Sequence, residues 1–177
     1  MDRVDRPGEG IHCSFVADIH DAGSYLRASS TDSIREDPLL IAVARSHRLA
    51  SRRTVDLDEL AGEPWIAAST EASDTLLGVW PSLQWRPNVA FIAREWTAKL
   101  GLVAAGLGVT VLPGLAAAAV REDVALVRVR GEQTVVRAVA LARRSGSDTP
   151  PARAFAEALH EVASNLLSEL CRRIGDR

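Results

Sequence analysis

The sequence predicts an α/β fold built on mixed, mainly parallel sheets with helices on both faces. Segments of strand type and helix type alternate along most of the 177 residues, as parallel strands joined by crossover helices require. Residues 39–44 form a continuous apolar run, which is typical of a strand covered on both faces. The length fits either one domain or two small lobes of a split domain.

Residues 96–113 form the most distinctive αβ unit of the chain. A helical stretch that begins at Trp96 runs to Gly106, where a helix end needs a left-handed residue that only glycine adopts at no steric cost. Gly108 then allows a tight turn into a short apolar strand over 109–112. Pro113 ends that strand, because proline donates no amide hydrogen bond.

The remaining strands and the first helix follow from local patterns. Further strands are predicted at 11–16, 64–68, 88–92, 124–129 and 135–141. A short helix is predicted at 57–61, because Asp56 is a good N-cap and the Glu59 carboxylate lies where it reaches back to the cap amide.

Helices are also predicted in the second half of the chain and between the strands. They are expected after residues 69–74, after Pro113 and after Thr149. The last of these is the clearest, because its large apolar residues recur at helical spacing. Those residues are Phe155, Leu159, Val162, Leu166 and Leu170.

The composition excludes several classes of protein. The net charge is −2 and the isoelectric point is about 6.1, unlike a domain that binds nucleic acid by neutralising phosphates. The sequence contains no apolar run long enough for a membrane span and no visible signal peptide. Two distant cysteines do not form a disulfide framework, so we expect a cytoplasmic protein.

Searches for catalytic or metal-binding patterns indicate neither an enzyme nor a cofactor site. The sequence has no glycine-rich phosphate loop and no nucleophile elbow around a serine. Its four histidines lie in different segments without the spacing of metal ligands. We therefore expect no catalytic residues, no metal and no cofactor.

One small group of residues is a candidate binding site. Ser69 and Thr70 follow a predicted strand and precede a predicted helix, and ligands of open α/β sheets bind outside the carboxyl ends of strands. Free amides and the helix dipole at such a position favour an anion. Trp96, Thr97 and Thr110 belong to the next αβ unit and are expected to face the same crevice. The alternative is that Ser69 and Thr70 only cap their helix.

Three segments together carry a family resemblance. They are residues 35–50 (REDPLLIAVARSHRLA), 54–66 (TVDLDELAGEPWI) and 102–113 (LVAAGLGVTVLP). In this order and spacing they resemble the effector-binding domain of LysR-type transcriptional regulators, and the resemblance covers roughly residues 9–165. It implies a periplasmic-binding-protein-like fold of two lobes that bind a small molecule between them, often an organic acid, in a homo-oligomer.

The resemblance also implies how the chain is divided. The second lobe would comprise residues 40–135 and the first lobe residues 1–39 and 136–177, with crossing strands near 36–44 and 134–141. The winged helix-turn-helix of the family and the start of its first lobe have no counterpart in the sequence. We therefore expect an incomplete first lobe and no direct contact with nucleic acid. Arg48 stands where the family usually has proline.

Three other functions are compatible with such a fold. A truncated oligomerisation module without a ligand would use apolar surface left by an incomplete lobe. A periplasmic-type solute-binding protein has the same fold, but the absence of an export signal argues against it. An α/β enzyme would need a cleft with a perturbed charged pair, and the sequence does not indicate one.

Overall fold

A computed structural model describes residues 13–16, 29–71, 75–80, 83–131, 134–144 and 149–175. Its strands are β1 (Cys13–Val16), β2 (Ser29–Ala44), β3 (Thr54–Val55), β4 (Pro64–Ala67), β5 (Asn88–Ile92), β6 (Thr110–Pro113), β7 (Val124–Val129) and β8 (Val136–Arg144). Its α-helices are α1 (Trp96–Ala104) and α2 (Pro150–Gly175). Single 3₁₀ turns occupy Leu57–Leu60, Leu76–Val79 and Gly114–Ala119.

The sheets are mixed, as the sequence predicts. One sheet has the strand order β1-β8-β2-β7-β3, with β6 also paired to β2, and a second consists of β4 and β5. The pairs β3–β7 and β4–β5 are parallel. However, β2 runs antiparallel to both β6 and β7, and β1 runs antiparallel to β8. Among the described pairings, parallel strands therefore do not predominate, because β2 runs opposite to two of its neighbours.

The chain divides into two compact units. The smaller comprises residues up to Arg35 together with Ala138–Ala163, and the larger comprises Glu36–Arg137 together with Ser164–Arg177. Strands β2 and β8 pass from one unit to the other. Helix α2 is shared, and its Leu170 and Ile174 pack into the core of the larger unit. The lobe limits inferred from the family resemblance stay a prediction.

Helix α2 begins where the sequence predicts, but of its five predicted apolar residues only Leu170 is buried. The Thr149 hydroxyl accepts a hydrogen bond from the Ala152 amide at 3.4 Å and caps the helix. Phe155 and Val162, two residues of the predicted apolar face, are 43% and 53% exposed. The buried residues of α2 are Ala152, Ala156, Ala163, Leu170 and Ile174. Helical spacing identifies several possible faces, and tertiary contacts decide which of them is buried.

The three short helices expected between strands are 3₁₀ turns in the structure. Their four to six residues suit the tighter 3₁₀ geometry, which is used in short pieces. The amide of Asp56 donates to Glu59 Oε1 at 3.3 Å, as predicted. The turn expected after residues 69–74 lies at Leu76–Val79, where Thr75 is its N-cap and accepts from the Leu77 amide at 3.2 Å.

A buried ion pair lies where the two crossing strands enter the larger unit. Asp37 of β2 is fully buried, and its Oδ2 accepts from Arg137 Nε of β8 at 2.8 Å. The other oxygen, Oδ1, accepts from the Leu115 amide at 2.8 Å. A single carboxylate thus joins β2, β8 and the Gly114–Ala119 turn, and both of its oxygens are hydrogen-bonded, as burial of a charge requires.

Removing this carboxylate is expected to be costly. Asp37→Ala leaves the Arg137 guanidinium and the Leu115 amide without their partner, so we expect a loss of about 3 to 5 kcal/mol of unfolding free energy. Asp37→Asn should lose less, because an amide oxygen still accepts from Leu115. Urea unfolding measures both.

The exposed pair of Arg121 and Asp123 provides the control. Asp123→Ala should leave the urea midpoint close to that of the parent, because exposed ion pairs contribute little. If Asp37→Ala and Asp123→Ala shifted the midpoint equally, the role assigned to the buried pair would be wrong.

Candidate functional site

The carboxyl ends of β4 and β5 meet at one edge of the larger unit. The two strands are parallel neighbours, with Ala67 opposite Ile92, and the Ala93 amide donates to the Ala67 carbonyl at 2.8 Å. Ser69 and Thr70 follow β4, and α1 begins shortly after β5. Four of the five predicted site residues, namely Ser69, Thr70, Trp96 and Thr97, therefore belong to the segments that leave this edge, which we call the β4–β5 edge.

Among the described residues, the hydroxyls of Ser69 and Thr70 cap no helix. Ser69 Oγ accepts from the Glu71 amide at 3.2 Å, which is a local turn. Thr70 is exposed, and the turn that follows is capped by Thr75. The Ser69 hydroxyl proton and the whole Thr70 hydroxyl have no hydrogen-bond partner among the described residues. Both side chains can donate to a ligand.

Trp96 and Thr97 occupy the first turn of α1. Both are exposed, Trp96 only moderately. Glu95 is the N-cap, and its side chain makes no capping hydrogen bond. The first amides of a helix have no intrahelical acceptor, and the helix dipole places partial positive charge beside them. The start of α1 is therefore suited to an anionic group.

The structure does not bring Thr110 to this edge. Its side chain is 2% exposed, and Oγ1 donates to the Ile66 carbonyl at 2.7 Å. The hydroxyl joins β6 to β4 inside the larger unit and is not presented to solvent. Sequence position alone suggested a shared crevice, but all four residues of β6 are buried, so the Thr110 hydroxyl is used inside the core.

Lys99 is a notable residue of α1 that the pattern search missed. Its side chain is 7% exposed, and Nζ lies 4.4 Å from the centre of the Trp96 ring. Burial lowers its pKa from the ordinary value for lysine. The composition could have identified this residue, because Lys99 is the only lysine among the 21 lysines and arginines of the sequence.

The glycines after α1 hold this helix in place. The Gly106 amide donates to the Val103 carbonyl and the Leu107 amide to the Leu102 carbonyl, and Gly106 has φ of 74°. This is a Schellman ending, with glycine in the predicted left-handed position. At Gly108 the requirement is different, because a Cβ there would lie 2.5 Å from the Pro64 carbonyl oxygen. Close approach to β4 therefore selects this second glycine.

The rest of the described chain offers weaker sites. No group of three or more His, Cys, Asp or Glu side chains in it could hold a metal ion. None of its helices is long and apolar enough to cross a membrane. An open depression elsewhere in the larger unit is lined by Val120 and by charged residues of both signs, Arg45, Glu122, Glu169, Arg172 and Arg173, so it does not favour a ligand of either charge.

Residues 25–164 match the LysR substrate binding domain family. The chain belongs to this family. The match includes parts of both compact units, with the β4–β5 edge and all of β2 through β8. The family resemblance carried by residues 35–50, 54–66 and 102–113 is thereby confirmed.

Curated relatives of the domain are transcriptional regulators. The HTH-type transcriptional regulator AlsR of Bacillus subtilis (strain 168) is 30% identical over 89 residues, which is 48% of this chain and 30% of AlsR. The HTH-type transcriptional regulator CatR of Pseudomonas putida is 31% identical over 119 residues, which is 65% of this chain and 40% of CatR. The chain thus matches less than half the length of either regulator.

Solved structures confirm the periplasmic-binding-protein-like fold of LysR effector-binding domains. An OxyR C206 mutant of Corynebacterium glutamicum has a TM-score of 0.72 at 19% identity, covering 90% of this chain and 50% of that one. The effector binding domain of QuiR, in complex with shikimate, has a TM-score of 0.61 at 19% identity, covering 89% and 72%.

Arg48, which departs from the proline of the family pattern, has a structural role in this LysR domain. Its Nη2 donates to the Glu59 carbonyl at 2.6 Å and to Glu63 Oε1 at 2.8 Å. His47 Nε2 lies 3.3 Å from the other oxygen of Glu63. The substitution thus ties the loop after β2 to the segment that precedes β4.

The three glycines around α1 should respond differently to alanine. Gly108→Ala should cost about 3 kcal/mol or more, because the new Cβ meets backbone that has little room to move. Gly106→Ala should cost about 1 to 2 kcal/mol, since alanine is strained at positive φ. Urea unfolding of each variant gives these values.

Gly101→Ala is the control for the glycine series. Gly101 lies inside α1, and a Cβ there meets no atom within 4 Å. Alanine at this position should stabilise the domain by about 0.5 to 1 kcal/mol. If Gly108→Ala were tolerated as well as Gly101→Ala, the close packing of residue 108 on β4 would not be required.

Proposed function

We propose that this LysR domain senses a small anionic effector at the β4–β5 edge, in a regulator of transcription and not in an enzyme. The observation that carries the proposal is the placement of Ser69, Thr70 and the first turn of α1 after two adjacent parallel strands. Ligands of open α/β sheets bind at such edges. The free hydroxyls and helix amides supply donors, which suit a carboxylate.

Effector binding would change the arrangement of the subunits and would not start a chemical reaction within the chain. A ligand that contacts both lobes of such a fold stabilises one arrangement of them, and in a homo-oligomer this changes how the subunits are oriented. The QuiR effector binding domain binds shikimate, which is a small carboxylate, and this supports the same class of ligand here. A regulator of transcription acts where the DNA is, which supports the cytoplasmic location expected from the sequence.

A second candidate function is an oligomerisation module that binds no effector. It is favoured by the exposure of Phe155 and Val162, which lie two turns apart on one face of α2. Exposed apolar side chains that share a face are typical of protein interfaces. Under this alternative, Phe155→Ser with Val162→Ser would give a monomer while no small molecule stabilises the domain.

The effector proposal is tested by thermal unfolding with a panel of small carboxylates that includes shikimate and benzoate. A ligand at a hundred times its Kd should raise the Tm by about 5 °C or more for a domain of this size. Ser69→Ala combined with Thr70→Ala should weaken binding by about tenfold or more, because two charge-assisted hydrogen bonds are lost.

Ser168→Ala is the matched control for the hydroxyl variants. Ser168 is an exposed serine of α2 whose hydroxyl donates to the Ser164 carbonyl, and its removal should leave the ligand-induced rise in Tm unchanged. No rise in Tm with any carboxylate would contradict the effector proposal. Equal responses of the double variant and Ser168→Ala would contradict the assignment of the site.

A further inference from the structure

Lys99 is a buried cation that has no carboxylate partner in the part of the chain that the structure describes. Its ammonium makes no hydrogen bond or ion pair with any residue that the structure describes, and the Trp96 ring is its one contact of that strength. Several arginines of the larger unit, by contrast, have carboxylate partners; Arg48, Arg52, Arg130 and Arg137 are examples. A buried charge is costly unless it is paired. Within residues 29–71, 75–80, 83–131, 134–144 and 149–175, the ammonium of Lys99 is therefore not neutralised by a carboxylate.

We infer that the Lys99 ammonium, held over Trp96, is the ionic anchor for the carboxylate group of an effector at the β4–β5 edge. The inference rests on the proposed function and deepens it, because it names the charged group of the site and the ligand group that it binds. Long side chains of a helix point toward its N-terminus, so Lys99 extends toward the first turn of α1. Trp96, three residues earlier, lies on the same face.

Three further features of the first turn of α1 favour an anion beside Lys99. The free amides at the start of α1 carry partial positive charge. The Glu95 side chain does not cap them, so their donors are not already used. The pKa of Lys99 is lowered by burial alone, which shows that the site disfavours an isolated ammonium. An anion bound beside it would reverse that effect and raise the pKa.

Glu95 is the alternative ion-pair partner for Lys99, in place of a ligand carboxylate. It lies one turn before Lys99, a spacing at which opposite charges pair on a helix. The Glu95 side chain is exposed, however, and no ion pair joins it to Lys99 in the structure. A Glu95–Lys99 pair would make Lys99 a structural residue, whereas an unpaired Lys99 is available to a ligand.

The surroundings favour a monocarboxylate with an apolar body. One ammonium and one helix start match a single negative charge better than the two charges of a phosphate or a dicarboxylate. Ile92, the last residue of β5, is 59% exposed and Trp96 is 37% exposed. Ile92 exposes apolar surface at the end of β5, and Trp96 does so against the Lys99 ammonium. Apolar surface with a few placed polar groups is the combination that binding pockets use to orient small molecules.

The single lysine makes the test direct. Protein grown with lysine labelled with carbon-13 at Cε gives one side-chain NMR signal, which reports the pKa of Lys99 in the unmodified chain. The probes are benzoate, its neutral analogue benzamide, and inorganic phosphate. Benzoate should shift the signal and raise the pKa, while benzamide and phosphate should leave both unchanged.

Variants of Lys99 and Glu95 distinguish a lysine that binds the ligand by its charge from a lysine that only supports the structure. Lys99→Met keeps the apolar stem and should weaken benzoate binding by about tenfold to a hundredfold, with benzamide unaffected. Lys99→Arg should retain most of the benzoate affinity. Glu95→Gln should bind benzoate as tightly as the parent or more tightly, because a competing carboxylate is removed. Binding should also weaken as the pH rises above the pKa of Lys99 in the free domain.

The outcomes distinguish this inference from the proposed function. If carboxylates raise the Tm while the Lys99 signal and the affinity of Lys99→Met stay unchanged, the role of Lys99 is overturned and effector sensing stands. If Glu95→Gln alone shifts the Lys99 pKa, the lysine is a structural partner of Glu95 and the inference fails. If no carboxylate in the panel raises the Tm of the parent, the proposed function is overturned, and the inference with it.

Discussion

The contact between the backbone at Gly108 and the β4 backbone is the constraint on which the candidate site depends. The Val109 amide donates to the Pro64 carbonyl, and the Ile66 amide donates to the Val109 carbonyl, both at 2.9 Å. Thr110 adds a third link through its hydroxyl to Ile66. These bonds fix β4 beside the segment that follows α1. Since β5 is paired with β4 on its own account, the start of α1 and the end of β4 are held at one edge.

That arrangement explains why the donors and the positive charge at the β4–β5 edge are not matched by paired carboxylates. Parallel strands end together, so the segments that follow them collect donors from hydroxyls, amides and a helix start. The carboxylates in the neighbourhood either contact other side chains or are exposed. Glu63, for example, contacts Arg48 and His47. Lys99 is left with an aromatic ring as its neighbour. Both proposals rest on this property, because an edge that offers hydrogen-bond donors and an unpaired ammonium suits an anion.

The buried pair of Asp37 and Arg137 lies where two strands leave the larger unit. Strands β2 and β8 continue beyond it into the smaller unit, and a strand that leaves its core loses apolar partners. A carboxylate that binds a side chain of β8 and an amide of the Gly114–Ala119 turn holds both strands where they leave. Loss of either partner would leave an uncompensated buried charge, so the pair opposes separation of the two strands at this point.

The sequence by itself determined what depends on neighbouring residues along the chain. The Gly106 helix ending, the strands β5 and β7 with their bounds, the Asp56–Glu59 interaction and the family all follow from local patterns, because caps, turns and strand alternation act over a few residues. Only the tertiary structure decided which face of α2 is buried, that the Thr110 hydroxyl binds the Ile66 carbonyl, and why residue 108 must be glycine. It also decided that Lys99 is buried with no carboxylate partner among the described residues. Each of these is a contact between distant segments, and spacing along one segment does not specify what packs against it.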